Sequence, residues 1–330
     1  MTQLRFRDQV IIPQAGDTVL DSLLRAGVPV GHSCRAGACQ SCLLRAVEGT
    51  PEGVGQAGLR DPLRARGYFL ACITPATTDL TIGGDEEDGL RVPARVLEMT
   101  MLTADVLRLR LQPEKPLPYR PGQFIHIVRD DGLTRSYSLA SLPERDPYLE
   151  LHVRRVEGGQ MSGWLASRSV GDSLTLRGPA GDCFYVAGRA DQPLLLIGIG
   201  TGLAPLYGIA RDAVEQGHQG PIHIVHGART LERLYYVQEL IALCAAHPAI
   251  RYVPCVLQAP AAAVGIPPQL YVGSITDLLT QQFPKLTGFR AYLCGDAGLV
   301  TTLRRQVFMA GVARRDIAAD AFVTAPNLIR

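Results

Sequence analysis

The sequence has little that would place the chain on a membrane or on nucleic acid. None of its apolar runs approaches the ~20 residues needed to cross a bilayer. Its first ten residues contain no apolar signal core. The formal net charge is only +2, too small to favour nucleic acid or an anionic membrane surface as a partner. We therefore expect a cytoplasmic protein with no nucleic-acid or membrane partner.

Cysteine is also scarce, since eight cysteines in 330 residues are too few for a disulfide scaffold. Half of them lie in the first quarter of the chain, and the others are scattered singly. A hydrophobic fraction of 47% with 19% charged residues excludes a largely disordered chain. At roughly 100–200 residues per domain, the length predicts two or three domains.

The chain divides into three segments with different hydrophobic patterns, joined after the first by a glycine-rich acidic linker over 85–91. Segment 1–84 has short apolar strands, a helix over 18–26 capped by Asp17 or Thr18, and a cysteine loop. Segment 92–189 repeats the short alternating runs of an antiparallel barrel or sandwich, with a helix near 162–167. Segment 190–330 alternates apolar strands with helices and predicts a doubly wound parallel sheet. The helices predicted there span 204–215, 232–246, 275–282 and 299–309.

The cysteine loop has the spacing Cys34-x4-Cys39-x2-Cys42, with Cys72 thirty residues later. Four thiolates at this spacing are the ligand set of a plant-type [2Fe–2S] cluster. The small residues between them let the backbone bend and aim N–H groups at the sulfurs. Structural zinc is the alternative, but zinc sites usually use paired Cys-x2-Cys motifs. The loop resembles that of plant-type ferredoxins, and the resemblance implies a β-grasp domain over 1–84.

Two features of the second segment suggest a flavin. In the run Arg135-Ser136-Tyr137-Ser138, the arginine can pair with a pyrophosphate, the tyrosine can cover a flat ring, and a serine can hydrogen-bond a ring nitrogen. The stretch Gly158-Gly159-Gln160-Met161-Ser162 opens a helical run, where exposed N–H groups attract anions. Taken singly, each feature fits an ordinary surface strand or turn. Together they resemble the ferredoxin–NADP⁺ reductase superfamily.

That resemblance implies bound FAD. Arg135 and Ser162 would hold its phosphates, Tyr137 would lie against the isoalloxazine, and Ser138 would sit near the hydride-accepting nitrogen. The remaining FAD contacts implied by the resemblance are Ser136, His152, Val153, Arg154, Gly159 and Met161.

The third segment opens with a glycine loop, Gly198-Ile199-Gly200-Thr201-Gly202-Leu203-Ala204-Pro205, directly after an apolar strand. It resembles the nicotinamide element of the same superfamily, with Ile199 in place of a common glycine. The resemblance implies contacts from Gly200, Thr201, Gly202, Ala204 and Pro205. Arg229, at the end of the second strand, could contact the adenosine ribose or cap the chain locally. No second cation follows it, which favours NADH over NADPH.

Two later motifs complete the predicted site. Cys294-Gly295-Asp296 resembles the Cys-Gly-x-Pro element whose cysteine lies near the nicotinamide, although position 297 is alanine; a buried structural cysteine is the alternative. Ala319-Asp320-Ala321-Phe322 resembles the close of oxygenase reductases, so Phe322 would approach the flavin and Asp320 would assist hydride transfer. The predicted catalytic residues are Ser138, Cys294 and Asp320. The other late cysteines, Cys183, Cys244 and Cys255, are predicted core thiols.

The order of the segments, ferredoxin then FAD then NAD, resembles the reductase components of bacterial ring-hydroxylating dioxygenases and related monooxygenases. The resemblance implies that NADH reduces FAD, that FAD reduces the [2Fe–2S] cluster, and that the cluster passes single electrons to a separate terminal oxygenase. Two alternatives remain open at this stage. One is the same path with another acceptor, such as a sugar-deoxygenating dehydrase, and the other is a zinc-stabilised scaffold with a vestigial nucleotide fold.

Overall fold

The computed structural model describes residues 2–59, 61–83, 91–258 and 267–323, which form three sheets. The predicted linker over 85–91 lies outside these residues apart from Arg91, which begins a strand. Among the described residues, no helix is both long and apolar enough to span a bilayer.

The first sheet lies in the cysteine-bearing segment. It is built from β1 (Leu4–Phe6), β2 (Gln9–Ile11), β3 (Leu43–Glu48), β4 (Tyr68–Leu70) and β5 (Leu80–Gly83), in the order β2-β1-β5-β3-β4. Strand β1 runs parallel to β5, while the other neighbours are antiparallel. Helix α1 (Val19–Arg25) begins at Thr18, which forms a capping box with Asp21. The short α2 (Asp61–Ala65) follows β3. The mixed sheet with its capped helix confirms the predicted β-grasp class.

The second sheet is antiparallel and closes into a barrel. Its strands are β6 (Arg91–Met101), β7 (Val106–Pro113), β8 (Phe124–Val128), β9 (Thr134–Ser138), β10 (Leu149–Arg154) and β11 (Ser173–Ala180). The order is β10-β7-β6-β11-β8-β9, and an antiparallel bridge between Leu139 and Leu151 joins the two ends. Helix α3 (Gln160–Ala166) follows β10 and begins two residues before its predicted start.

The third sheet is fully parallel. Its strands are β12 (Leu194–Ile199), β13 (Ile222–Ala228), β14 (Ile250–Val256), β15 (Tyr271–Val272), β16 (Arg290–Asp296) and β17 (Ile317–Phe322). The helices are α4 (Leu203–Glu215), α5 (Val237–Ala246), α6 (Ile275–Gln282) and α7 (Ala297–Met309). The strand order β15-β14-β13-β12-β16-β17 reverses direction between β12 and β16. Ligands of such sheets bind outside the carboxyl ends of the strands at this reversal.

The helix predicted over 232–246 is wrong at its start. A short 3₁₀ turn spans Leu231–Arg233, Tyr236 has a left-handed φ of 55°, and α5 begins only at Val237. The break turns the rings of Tyr235 and Tyr236 into the barrel, where they hydrogen-bond buried polar groups. Those bonds favour the interrupted backbone over a continuous helix. Sequence patterning also did not predict β3, β4, β11, β15 and β17.

Candidate active site

The four N-terminal cysteines lie in a loop shaped by left-handed residues. Arg35, Gly37 and Gln40 have φ values of 53°, 72° and 58°, so the chain turns sharply between the cysteines. Successive turns of this kind point backbone N–H groups into a common concavity. The N–H groups of Ala36 and Cys39 both lie 3.4 Å from the Cys34 sulfur.

The cysteine sulfurs come together in two pairs. Cys39 hydrogen-bonds the Cys34 sulfur, and this bond with the backbone donors lowers the pKa of Cys34 to about 5. Cys42 hydrogen-bonds Cys72 in the same way and lowers the pKa of Cys72 to about 7. The same bonds raise the pKa values of the two donors, Cys39 and Cys42, so within each pair one thiol deprotonates before the other.

This arrangement fits a two-iron cluster. Two cysteine pairs with inward N–H donors match a cluster whose irons take two thiolates each and whose sulfurs accept hydrogen bonds. The predicted ligands Cys34, Cys39, Cys42 and Cys72 are thus brought together.

The predicted flavin strand, β9, lies between the cluster loop and the parallel sheet. At its amino end, a parallel bridge joins Leu133 to His32, two residues before Cys34. Burial lowers the pKa of the half-buried Arg135, and the nearby Cys39 opposes that shift. At its carboxyl end, the Ser138 hydroxyl donates to the Asp320 carboxylate over 3.1 Å. A strand of five residues therefore connects the cysteine loop with the third sheet.

The predicted catalytic residues meet at the carboxyl ends of three parallel strands. Gly198 on β12 is in register with Cys294 on β16, and Cys294 is in register with Asp320 on β17. Because Asp320 accepts from Ser138, this row faces the flavin strand. The structure thus brings Ser138, Cys294 and Asp320 together, at the strand-order reversal where nucleotides bind.

Two groups in this cleft have strongly shifted pKa values. Burial raises the pKa of Asp320 to about 6, and the hydrogen bond from Ser138 only partly offsets that rise. Burial, together with the adjacent Cys183 thiol 3.7 Å away, raises the pKa of Cys294 well above its usual range. At neutral pH a neutral, buried thiol on β16 therefore lies beside a β17 carboxyl group with a pKa of about 6.

The glycine loop after β12 has no room for larger residues at its base. A Cβ on Gly202 would lie 2.1 Å from the backbone oxygen of Cys294, and one on Gly198 would lie 2.9 Å from the backbone of Gly202. Gly200 has a φ of 55°, and a Cβ there would meet open space. The loop packs tightly against β16 on one side and is open at Gly200 on the other. A pyrophosphate can therefore approach the backbone there. Thr201 is half-buried in this turn, and Ala204 and Pro205 are buried in the first turn of α4.

Several predicted FAD residues use their side chains elsewhere. His152 donates toward Glu150 and accepts from Tyr235, so both ring nitrogens are occupied. Val153 and Met161 are buried in the barrel core. Arg154 lies 3.6 Å from Asp105 on the surface. For His152, Val153 and Met161, only backbone atoms remain available to a cofactor.

The turn before α3 is organised by Ser162. Its hydroxyl accepts from the Val156 N–H over 3.1 Å, while Gly159 is too crowded for a Cβ, which would lie 2.6 Å from the Ser162 hydroxyl. Within the described chain, no side chain caps the amino end of α3. Its N–H groups suit a phosphate.

The predicted FAD residue Ser136, on β9, uses its hydroxyl within the barrel, where it lies 3.0 Å from the buried His126 ring.

The remaining predicted nucleotide residues lie at strand ends. Arg229 is exposed directly after β13. Gly295 has a φ of 131°, and Asp296 caps α7 by accepting from the Leu299 N–H over 3.0 Å. Phe322 ends β17 in register with Asp296. All four lie on the same edge of the sheet as the glycine loop.

Sequence reasoning missed three contributors to the site. Cys183, predicted to be only a core thiol, contacts Cys294. Glu150 is buried where the barrel meets the third domain, and Arg177 reaches from the barrel into the cluster loop. No motif marks these residues. The one available signal is that Arg177 follows the alternating buried residues Leu174 and Leu176, which turns it away from the barrel core.

The fold and site define a class of oxidoreductase that combines an iron–sulfur domain with flavin and nicotinamide-nucleotide domains. Family models agree along the chain. A 2Fe-2S iron-sulfur cluster binding domain matches residues 6–77, an oxidoreductase FAD-binding domain matches 93–185, and an oxidoreductase NAD-binding domain matches 196–305. The [2Fe–2S] cluster, FAD and a nicotinamide dinucleotide are therefore the chain's cofactors.

Curated relatives share this organisation over nearly full length. The reductase component of the naphthalene 1,2-dioxygenase/salicylate 5-hydroxylase systems of Ralstonia sp. is 36% identical over 316 residues, covering 94% of both chains. The naphthalene 1,2-dioxygenase reductase component of Pseudomonas putida is 33% identical over 320 residues, covering 94% of this chain and 95% of that one. The chain belongs to the family that contains these ferredoxin–NAD(P)⁺ reductase components.

Solved structures agree with the fold. A cytochrome P450 reductase from Amycolatopsis superposes with a TM-score of 0.70 at 30% identity, covering 98% of this chain and 99% of that one. The ferredoxin reductase of carbazole 1,9a-dioxygenase gives a TM-score of 0.67 at 27% identity, covering 97% and 98%. The three-domain order is therefore shared with proteins of known structure.

Proposed function

We propose that this protein oxidises NADH and delivers single electrons to the terminal oxygenase of an aromatic-hydroxylating system. The relatives named above are reductase components of such systems. The structural observation that carries the proposal is the position of β9. Its five residues span about 14 Å at ~3.4 Å per residue, with the cluster loop at one end and the nucleotide cleft at the other.

The cofactors supply the redox chemistry, because a flavin takes up a hydride and releases electrons one at a time to a one-electron iron–sulfur centre. The protein's own groups bind and orient. Tyr137 lies on β9 with its ring partly buried against the barrel core, and burial raises the pKa of its hydroxyl. Ser138, held by Asp320, directs its hydroxyl into the cleft. Cys294 is fully buried in the apolar core of the third sheet, in register with Asp320.

The domain limits that support this assignment are 1–84 for the ferredoxin domain, 92–189 for the FAD barrel and 190–330 for the NAD domain. The family models at 6–77, 93–185 and 196–305 fall within them. The predicted linker between the first two domains, the cytoplasmic location and the lack of a nucleic-acid partner stay predictions.

We also propose a preference for NADH over NADPH. The exposed Arg229 is followed by Glu232, which lies in the 3₁₀ turn and whose pKa is lowered by the Thr230 hydroxyl. A carboxylate beside the end of β13 repels a 2′-phosphate. The ratio of kcat/KM for the two dinucleotides should favour NADH, and Glu232→Gln should narrow that ratio without lowering the NADH value.

The test of function is reconstitution. NADH, the loaded protein and a panel of candidate oxygenase components are mixed, and hydroxylated product is measured. Cys39→Ser removes one cluster ligand, and Cys244→Ser, at a half-buried thiol on α5, is the matched control. Product that requires the protein and is lost only with Cys39→Ser supports the proposal. Equal product with both variants refutes the route through the cluster.

The acceptor can differ from a dioxygenase. The reductase subunit of an aromatic O-demethylase from Amycolatopsis sp. is 34% identical over 300 residues, or 87% of this chain, and the Amycolatopsis structure described above is a cytochrome P450 reductase. A cytochrome P450 is therefore a second candidate acceptor. A cytochrome P450 therefore belongs in the same panel of acceptors. Faster product formation with the P450 than with the dioxygenase components would identify a P450 as the acceptor.

A further inference from the structure

Arg177 leaves the flavin barrel and enters the cluster loop of the ferredoxin domain. It lies on β11, and only 5% of it is exposed. Its Nη1 donates to the backbone oxygen of Ser41 over 2.7 Å, and its Nη2 donates to those of Gln40 and Leu43 over 3.0 and 3.4 Å. The three accepting carbonyls lie on either side of Cys42 and directly after Cys39. A buried guanidinium thus hydrogen-bonds the backbone of the loop that bears two cluster ligands.

The contact continues to a cysteine sulfur. Ser41, whose backbone oxygen accepts from Arg177, has its hydroxyl 3.1 Å from the sulfur of Cys39. Arg177 therefore holds in place the residue that contacts the ligand sulfur, in addition to its direct positive charge.

Arg177 is also linked to the flavin strand through the neighbouring residue on β8. On β8, His126 is in register with Arg177, and its ring lies 3.0 Å from the Ser136 hydroxyl on β9. Burial, aided by the Arg177 charge, lowers the pKa of His126 to about 3, so the ring is neutral. The ferredoxin domain and the barrel also pack closely at this point. A Cβ on Gly31 would lie 2.7 Å from the Ser41 oxygen and 3.1 Å from the Thr134 hydroxyl of the barrel.

We propose that Arg177 is a positioning residue that fixes the cluster loop against the flavin barrel and makes the bound [2Fe–2S] cluster easier to reduce. An added electron makes the cluster more negative, and a buried cation held against the cluster loop stabilises that charge. The fixed loop also keeps the cluster at a constant separation from β9. The effect of Arg177 on the cluster potential depends on neither NADH nor an acceptor. Only its consequence for electron delivery rests on the proposed function.

The experiment is an anaerobic dithionite titration of the loaded protein, with the reduced cluster followed by electron paramagnetic resonance. Arg177→Gln removes the charge and the forked donor, whereas Arg177→Lys keeps the charge. Arg129→Gln is the matched control, since Arg129 lines the same interdomain cavity but is paired with Asp131. We expect Arg177→Gln to shift the electron equilibrium at least tenfold away from the cluster, or about 59 mV for a one-electron couple. We expect a smaller shift for Arg177→Lys and none for Arg129→Gln.

The outcomes separate this inference from the proposed function. An unchanged potential in Arg177→Gln with full iron content overturns the inference, as does an equal shift in Arg129→Gln. If Arg177→Gln fails to hold iron, the Arg177→Lys variant is measured instead. An iron-loaded Lys variant with a cluster potential near that of the wild type supports the role of the charge. Loss of iron in the Lys variant as well makes Arg177 a purely structural residue and overturns the inference. A shifted potential in a protein that supports no oxygenase sustains the inference while the proposed function fails.

Discussion

Glu150 offers a direct test of how the flavin barrel holds the nucleotide domain. It lies on β10 with 6% of its side chain exposed. One oxygen accepts from the Tyr236 hydroxyl over 2.6 Å and from His152 over 3.2 Å, and the other accepts from Arg110 over 2.8 Å. Burial alone would raise the pKa of Glu150, but these donors outweigh it and lower the pKa from 4.5 to about 2.

This fall in the pKa of Glu150 sets the loss of folding stability that we expect for Glu150→Gln. A carboxyl whose pKa falls on folding stabilises the folded state by about 3 kcal/mol for a drop of this size. The contribution is complete above about pH 4.5 and is lost as the pH falls toward 2. The amide keeps the shape of the side chain but cannot neutralise Arg110, so the loss at pH 7 should approach the full value.

Denaturant unfolding monitored by fluorescence of Trp164, the chain's single tryptophan, measures the effect. Glu215→Gln is the matched control, because Glu215 also joins the third domain to the barrel but pairs with an Arg145 that is 62% exposed. Solvent screens that pair, so its loss should matter far less. The reasoning is refuted if the two variants are equally stable at pH 7, or if the deficit of Glu150→Gln does not shrink below about pH 4.5.

Three further predictions concern the redox site. Cys39→Ser should lose the cluster and the reduction of one-electron protein acceptors while retaining NADH-driven reduction of a small dye at the flavin; loss of dye reduction in a folded, FAD-loaded protein would contradict the proposed electron order. Arg135→Ala should weaken FAD binding by about 1.5–3 kcal/mol through loss of a charge-assisted phosphate bond, and equilibrium dialysis showing unchanged affinity would remove Arg135 from the site. Because the pKa of Asp320 is raised to about 6, Asp320 is a charged acceptor for the Ser138 hydroxyl only above that pH. The rate of flavin reduction by NADH should therefore inflect near pH 6 and lose that inflection in Asp320→Asn.

Local motifs made the domain order predictable from the sequence. Each of three motifs contains the residues that carry its chemistry within a short stretch of chain. These motifs are the cysteine spacing, the Arg135–Ser138 run and the glycine loop after β12. The strand-end motifs at Cys294 and Asp320 also meet as expected, because carboxyl ends of parallel strands share one edge of the sheet.

The contacts between domains were not predictable in this way. Glu150, Tyr236 and Arg177 find their partners 86 or more residues away, so no local pattern marks them. The helix predicted over 232–246 failed for the same reason, since Tyr235 and Tyr236 gain more from buried partners on the barrel than from helical hydrogen bonds. His152 fits a flavin motif by sequence, yet its ring is committed to this interface.

The most direct test of the central claim is a single-turnover reaction of the fully loaded protein with one equivalent of NADH under anaerobic conditions. Flavin absorbance and rapid-freeze paramagnetic resonance are recorded over the same time course. The account predicts that flavin bleaching comes first and that a reduced [2Fe–2S] signal then grows without any added acceptor. Complete flavin bleaching with no iron signal, in protein of full iron content, would contradict it.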